Sequence, residues 1–123
     1  MNTARRNANL AAIGATIAAI MLFRFPPQQH GFYPACPIYR YLHLYCPGCG
    51  STRALSALLH GRLMEAMQYN PLFVALLPLL VAFAAVTYWT AIARNETRWP
   101  RIPTPMLSAL LAIIAVFTIV RNL

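Results

Sequence analysis

The sequence contains no lysine and no aspartate, and its only acidic residues are Glu65 and Glu96. Charged residues make up 10% of the 123-residue chain, whereas about 25% is typical of soluble domains. So few charges cannot cover the surface of a soluble protein when 59% of the residues are hydrophobic. This shortage excludes a soluble enzyme, a disordered chain and a secreted disulfide-rich domain, and it indicates an integral membrane protein.

All ten basic residues are arginines, and the formal net charge is +8. A strongly basic protein can be a nucleic-acid binder when its charges form a stripe. Here they lie instead at the flanks of apolar runs, at Arg5, Arg6, Arg24, Arg40, Arg53, Arg62, Arg94, Arg98, Arg101 and Arg121. This distribution predicts contact with lipid headgroups and no nucleic-acid partner.

Three apolar runs are long enough to span a bilayer, at about residues 8–25, 71–93 and 102–120. A helix rises about 1.5 Å per residue, so even the shortest run covers roughly 27 Å of a bilayer core about 30 Å thick. The first run continues into Arg24 without a small-residue cleavage site, which favours a retained helix over a signal peptide. Asn70 is predicted to cap the second spanning helix.

Residues 26–69 form a more polar segment between the first two runs, and this segment is rich in proline at its start. From Ser51 the pattern becomes helical, and Ser51 or Thr52 is predicted to cap the helix, with Gly61 interrupting or ending it. An apolar stripe recurs at four-residue steps, at Leu55, Leu59, Leu63 and Met67. It predicts an amphipathic membrane-surface helix that packs against the other helices. The expected architecture is therefore a single all-α membrane domain over residues 1–123, with three transmembrane helices and this surface helix.

The three cysteines all lie in this segment, at Cys36, Cys46 and Cys49. Cys46 and Cys49 form a C-x-x-C motif directly before the predicted surface helix. Helix N-terminal amides stabilise a thiolate and lower its pKa. Arg53, one turn further on, would add to this effect. A cation in the first turn of a helix opposes the helix dipole, so Arg53 is expected to have an anionic partner.

The run from Cys46 to Ala54, Cys-Pro-Gly-Cys-Gly-Ser-Thr-Arg-Ala, resembles the C-P-x-C-G-x-T-R-A signature of a family of small bacterial membrane proteins, domain-of-unknown-function family 2752. Further features similar to the family are an upstream cysteine, His-Gly, Asn-Pro and a terminal Arg-Asn, matched here by Cys36, His60-Gly61, Asn70-Pro71 and Arg121-Asn122. The resemblance implies two or three transmembrane helices, a cysteine-bearing segment between the first pair, and a place in the bacterial inner membrane. It implies no activity, since none is assigned to the family.

Three interpretations of the cysteines remain open. In the first, they are structural: two of them form a disulfide that pins the loop, or all three are buried, and the turn from Cys46 to Gly50 serves as a tight helix entry. Gly50, Thr52, Arg53 and Asn70 are further site candidates. In the second, they bind a metal, with zinc as the candidate and Cys36, His43, Cys46 and Cys49 as ligands. His60 is excluded, because it lies about 16 Å along the helix axis from Cys49. In the third, Cys46 and Cys49 are a redox pair that reacts through a mixed disulfide, and Cys36 is the resolving thiol.

The most favoured function is a non-catalytic accessory or assembly subunit of a larger membrane complex, because short loops leave little room for a substrate pocket. The expected partners are the lipid bilayer and other membrane subunits or further copies of the chain. The alternative is a thiol-disulfide oxidoreductase or a metal-binding protein. Arg5 and Arg6 before the first helix, and the arginines between the second and third, predict a cytoplasmic amino terminus and cysteines on the opposite side.

Overall fold

The computed structural model describes residues 3–29, 31, 33, 36–96 and 99–123. The described residues form six α-helices and no strand, which confirms the all-α prediction. In chain order they are α1 (Thr3–Arg24), α2 (Pro37–Leu42), α3 (Ser51–Leu59), α4 (Leu63–Tyr69), α5 (Pro71–Arg94) and α6 (Thr104–Asn122). Helices α1, α5 and α6 are long and apolar enough to cross a membrane, so the chain is a multi-pass membrane protein.

The ends of the spanning helices differ only slightly from those predicted. Helix α1 begins at Thr3 rather than near residue 8, so Arg5 lies on the helix. Its guanidinium donates two hydrogen bonds, of 3.0 and 2.8 Å, to the carbonyl oxygen of Ile92 near the end of α5. Asn70 caps α5 as predicted, since its Oδ1 accepts a 3.0 Å hydrogen bond from the Phe73 amide. Arg98 lies outside the described residues.

Helices α1 and α5 run antiparallel, and this arrangement decides where the cysteines lie. The start of α1 meets the end of α5, where the Tyr88 hydroxyl donates to Asn9 at 3.3 Å. The far end of α1 meets α3, where the buried Ser56 hydroxyl donates to the Leu22 carbonyl at 3.1 Å. The carboxyl end of α6 reaches the same side and contacts Tyr45. All three cysteines therefore lie at the end of the bundle opposite the start of α1.

The surface segment is more broken than the sequence predicted. Helix α2, with Pro37 in its first turn, was not expected in a proline-rich region. The predicted surface helix divides into α3 and α4 at Gly61, whose φ of +74° confirms the interruption there. The predicted cap by Ser51 or Thr52 is wrong, because α3 begins at Ser51 with Gly50 as its N-cap and no side-chain cap.

The packing face of α3 and α4 consists of small residues. Ala54, Ala57 and Ala66 are fully buried and form the centre of the core cluster, against which Leu58 and other apolar residues pack. The predicted leucine stripe does not serve this purpose: Leu59, Leu63 and Met67 of that stripe are exposed. The expectation that the stripe packs against the other helices is therefore wrong for these three residues, whereas Leu55 is half-buried. The alanines allow these short helices a closer approach to their neighbours.

Candidate functional site

The three cysteines come together in one cluster, with their sulfur atoms all within 4.8 Å of one another. Cys46 lies at its centre, with its Sγ 2.8 Å from that of Cys49 and 3.3 Å from that of Cys36. All three are free thiols. Helix α2 begins directly after Cys36, and the tight turn before α3 carries Cys46 and Cys49. We call these residues the three-cysteine cluster.

Other predicted site residues lie outside this cluster. Within the part of the chain that the structure describes, no histidine or carboxylate joins the three sulfurs. The His43 ring instead packs edge-on against Tyr39, with a centroid separation of 6.1 Å. His60 stacks on Phe23 at 4.5 Å. Thr52 and Arg53 are exposed, and the Arg53 guanidinium has no hydrogen bond or ion pair to any described residue.

Gly50 is required by the shape of the turn that carries the cluster. Its φ is +85°, a conformation that side-chain-bearing residues rarely adopt. A Cβ at this position would also lie 2.7 Å from the backbone carbonyl oxygen of Tyr69 at the end of α4. Glycine therefore allows the turn to approach α4 closely and places Cys49 against the helices, where it is buried.

Asn70 joins this turn to the start of α5. Its side chain is fully buried, and its amide donates to the carbonyl oxygens of Pro47 at 2.8 Å and Cys49 at 3.3 Å. The same side chain caps α5 through its oxygen. One asparagine thus satisfies backbone groups of two elements, and it fixes the C-x-x-C motif relative to a spanning helix.

The carboxyl end of α6 braces the turn from the other side. Arg121 donates to the carbonyl oxygens of Cys49 at 2.9 Å and Tyr69 at 3.0 Å, and its guanidinium also lies over the Tyr45 ring at 5.3 Å. Asn122 exchanges two hydrogen bonds of 2.8 Å with the Tyr45 backbone. These two residues were noted in the sequence only as a match to the family pattern. Their hydrogen bonds to Tyr45, Cys49 and Tyr69 cross 52 to 77 positions, so no local signal reveals them.

The thiols of Cys36 and Cys49 differ strongly in pKa. The backbone amide of Tyr39, together with the Cys49 and Cys46 thiols, lowers the pKa of Cys36 to about 7. Burial, together with the neighbouring Cys46 and Cys36 thiols, raises the pKa of Cys49 to about 12. The sequence predicted a lowered pKa within the C-x-x-C motif. The lowering is found instead at Cys36, because desolvation outweighs helix amides at the buried Cys49.

Residues 36–84 match the model of a family described as "Protein of unknown function (DUF2752)". The match confirms the family resemblance over this cysteine-bearing segment, which is 49 of the 123 residues. The matched region contains the three-cysteine cluster, the turn and Asn70, whereas Arg121 lies beyond it. No curated protein and no solved structure matches the chain significantly.

We predict that Arg121→Gln destabilises the protein much more than Arg53→Gln. Loss of the guanidinium leaves the Tyr69 carbonyl without its donor and weakens the support of Cys49, at a cost of about 1–3 kcal/mol. Arg53 makes no such contact with described residues, so it is a matched control. Thermal unfolding in detergent micelles measures both. Equal melting temperatures for the two variants would contradict the bracing role of Arg121.

We also predict an order of alkylation for the reduced, metal-free protein. Cys36 reacts first, and its rate rises with pH up to its pKa of about 7 and then levels off, because the thiolate is the nucleophile. Cys49 reacts last, because it is buried and its pKa of about 12 keeps it protonated. Iodoacetamide labelling at several pH values, mapped by peptide mass spectrometry, gives the order. Denatured protein, in which this difference disappears, is the control, and early labelling of Cys49 in folded protein contradicts the prediction.

Proposed function

We propose that this protein is a small accessory subunit of a larger membrane complex. We also propose that its three-cysteine cluster binds a thiophilic metal ion, with zinc as the first candidate. One observation carries the proposal: three free thiols from two separate segments have their sulfur atoms within 4.8 Å of one another. Soft thiolate ligands favour zinc or copper(I) over hard cations such as magnesium. Convergence of three thiols from separate segments goes beyond what a helix entry requires.

The distances support a metal centre after a small adjustment. Zinc bonds sulfur at about 2.3 Å, so tetrahedral thiolates lie about 3.8 Å apart. The sulfurs of Cys46 and Cys49 are 2.8 Å apart, and those of Cys36 and Cys46 are 3.3 Å apart. They would separate by roughly 0.5–1 Å on metal binding. Cys36 is only half-buried, which gives it room for such a movement.

The accessory role is supported by the ligand position that three thiolates would leave open on the metal. Three thiolates fill three of the positions around a tetrahedral zinc ion, and a fourth is left for water or for a side chain of a partner protein. His43, the fourth ligand proposed from the sequence, would have to leave its contact with Tyr39 to reach it. An open ligand position close to the membrane surface suits a subunit that meets its partner there.

A second candidate function is thiol-disulfide exchange, and the central position of Cys46 favours it. Its sulfur lies near both Cys36 and Cys49, so it can form a disulfide with either. In this scheme the Cys36 thiolate attacks a partner protein's disulfide, and one partner thiol leaves. Cys46 then attacks the mixed disulfide, forms the Cys36–Cys46 bond and releases the second partner thiol, so the partner is reduced and this protein is oxidised.

Metal content and free thiols, measured together, test these functions. We predict one zinc ion per chain after purification without chelators, and three titratable thiols after the metal is removed. Cys36→Ser, Cys46→Ser and Cys49→Ser each lower the zinc stoichiometry strongly, because two thiolates hold zinc more weakly than three. His43→Ala, a matched control outside the cluster, retains the metal.

Two outcomes would decide against the metal. A metal-free protein with one titratable thiol and one disulfide supports the exchange function. A metal-free protein with three thiols that does not take up zinc or copper(I) on titration overturns both proposals and leaves a structural role.

We further propose that the amino terminus is cytoplasmic and that the three-cysteine cluster lies on the other side. The flanking arginines support this orientation, and the fold supports only that the two ends lie on opposite sides. In bacteria that side is oxidising, so a bound metal would compete with disulfide formation for the same thiols. A membrane-impermeant maleimide, applied to intact cells after mild reduction and chelation, is expected to label the cysteines. Labelling only after the inner membrane is broken would reverse the orientation.

A further inference from the structure

A groove of about 540 Å³ runs between α5 and α6, and its walls are entirely apolar. Pro71 and Leu72 at the start of α5 form one wall, and Val116 and Phe117 of α6 lie on the other. Its volume falls within the range of about 300–1,000 Å³ that is usual for small-molecule sites. Because it lies between two helices that are apolar enough to span a membrane, we expect it to face lipid hydrocarbon rather than water.

The groove continues into a smaller, more polar pocket of about 290 Å³. Pro71 and Phe117 line both spaces, and Arg121 lines only the smaller pocket. The combined site is therefore an open apolar groove with a cation at one end. Arg121 lies in the last turn of α6, which is where a spanning helix meets the lipid headgroups.

The charge of Arg121 is not neutralised by any carboxylate that the structure describes. The only ion pair among the described residues joins Arg62 to Glu65. Arg121 uses its guanidinium for the Cys49 and Tyr69 carbonyls, but a guanidinium has more N–H donors than these two bonds need. A half-buried cation with spare donors beside an apolar groove is complementary to an anion that carries a hydrocarbon chain.

We propose that this site binds one anionic membrane lipid, with an acyl chain in the α5–α6 groove and its phosphate at Arg121. Charge complementarity favours this occupant over an apolar helix from a second copy or a partner, since such a helix would leave the cation unpaired. Partial burial strengthens the bond between phosphate and guanidinium, because water screens it less. The inference does not depend on the metal site, since neither space is lined by a cysteine.

Native mass spectrometry of the detergent-purified protein tests the proposal. The protein is titrated with phosphatidylglycerol and, separately, with phosphatidylcholine of the same acyl chains. We expect one phosphatidylglycerol per chain, bound about tenfold or more tightly than phosphatidylcholine, because a hydrogen bond to a charged group supplies that difference. Cys46→Ser, which changes the cluster but not the groove, retains this preference.

Two substitutions locate the lipid. Arg121→Gln removes the preference for phosphatidylglycerol. Val116→Trp fills the groove without touching the Arg121 contacts, so it weakens binding of both lipids even if Arg121→Gln fails to fold. Leu111→Trp is the matched control, because Leu111 is 59% exposed, against 60% for Val116, and lies about 140° away around α6.

Three results would overturn the proposal. Equal affinity for the two lipids would show that Arg121 does not select the headgroup. Binding that survives Val116→Trp would place the lipid elsewhere. A lipid-free dimer that Val116→Trp separates, while Leu111→Trp leaves it intact, would show that a second copy occupies the groove.

Discussion

The carbonyl oxygen of Cys49 accepts hydrogen bonds from Arg121 on α6 and from Asn70 at the start of α5, and the whole cysteine region depends on this pairing. The turn before α3 is not a regular helix, so its Pro47 and Cys49 carbonyls lack the partners that a helix supplies internally. Unpaired groups near a membrane are costly, because little water is available to replace the missing partners. Side chains from two spanning helices therefore donate to the carbonyls of the turn, and this fixes the position of Cys46 and Cys49.

The spanning helices could be predicted from the sequence, and so could the Asn70 cap and the break at Gly61, because each depends on local composition. The packing face of α3 and α4 could not be predicted from the sequence. In water a leucine stripe marks the buried side of a helix, but in a membrane lipid is as apolar as a protein core. Leu59 and Leu63 can therefore face outward at little cost, and Ala57 marks the true contact. Small residues, rather than large ones, were the informative signal.

Only the local features of the candidate site could be predicted from the sequence. The spacing of Cys46 and Cys49 is local, so their proximity was visible in the sequence, whereas the approach of Cys36 depends on where α2 begins. The bracing by Arg121 and Asn122 depends on a chain reversal that no short motif encodes. Backbone amides at a helix start do stabilise a thiolate here, but at Cys36 and not at Cys49 of the motif. At Cys49 burial dominates, and the amides act at the less buried Cys36 instead.

Arg121 links the two proposed sites, because it would bind the lipid phosphate and it also donates to the Cys49 carbonyl. A zinc ion held by three thiolates leaves a net negative charge on the cluster, and Arg121 already binds the carbonyl of one of these cysteines. A lipid phosphate would approach the same cation from the groove, using donors that the Cys49 and Tyr69 bonds leave free. The phosphate can therefore bind without releasing the turn. With both ligands bound, the nearby cation would lower the repulsion between the two anionic groups and allow both to occupy the same end of the bundle.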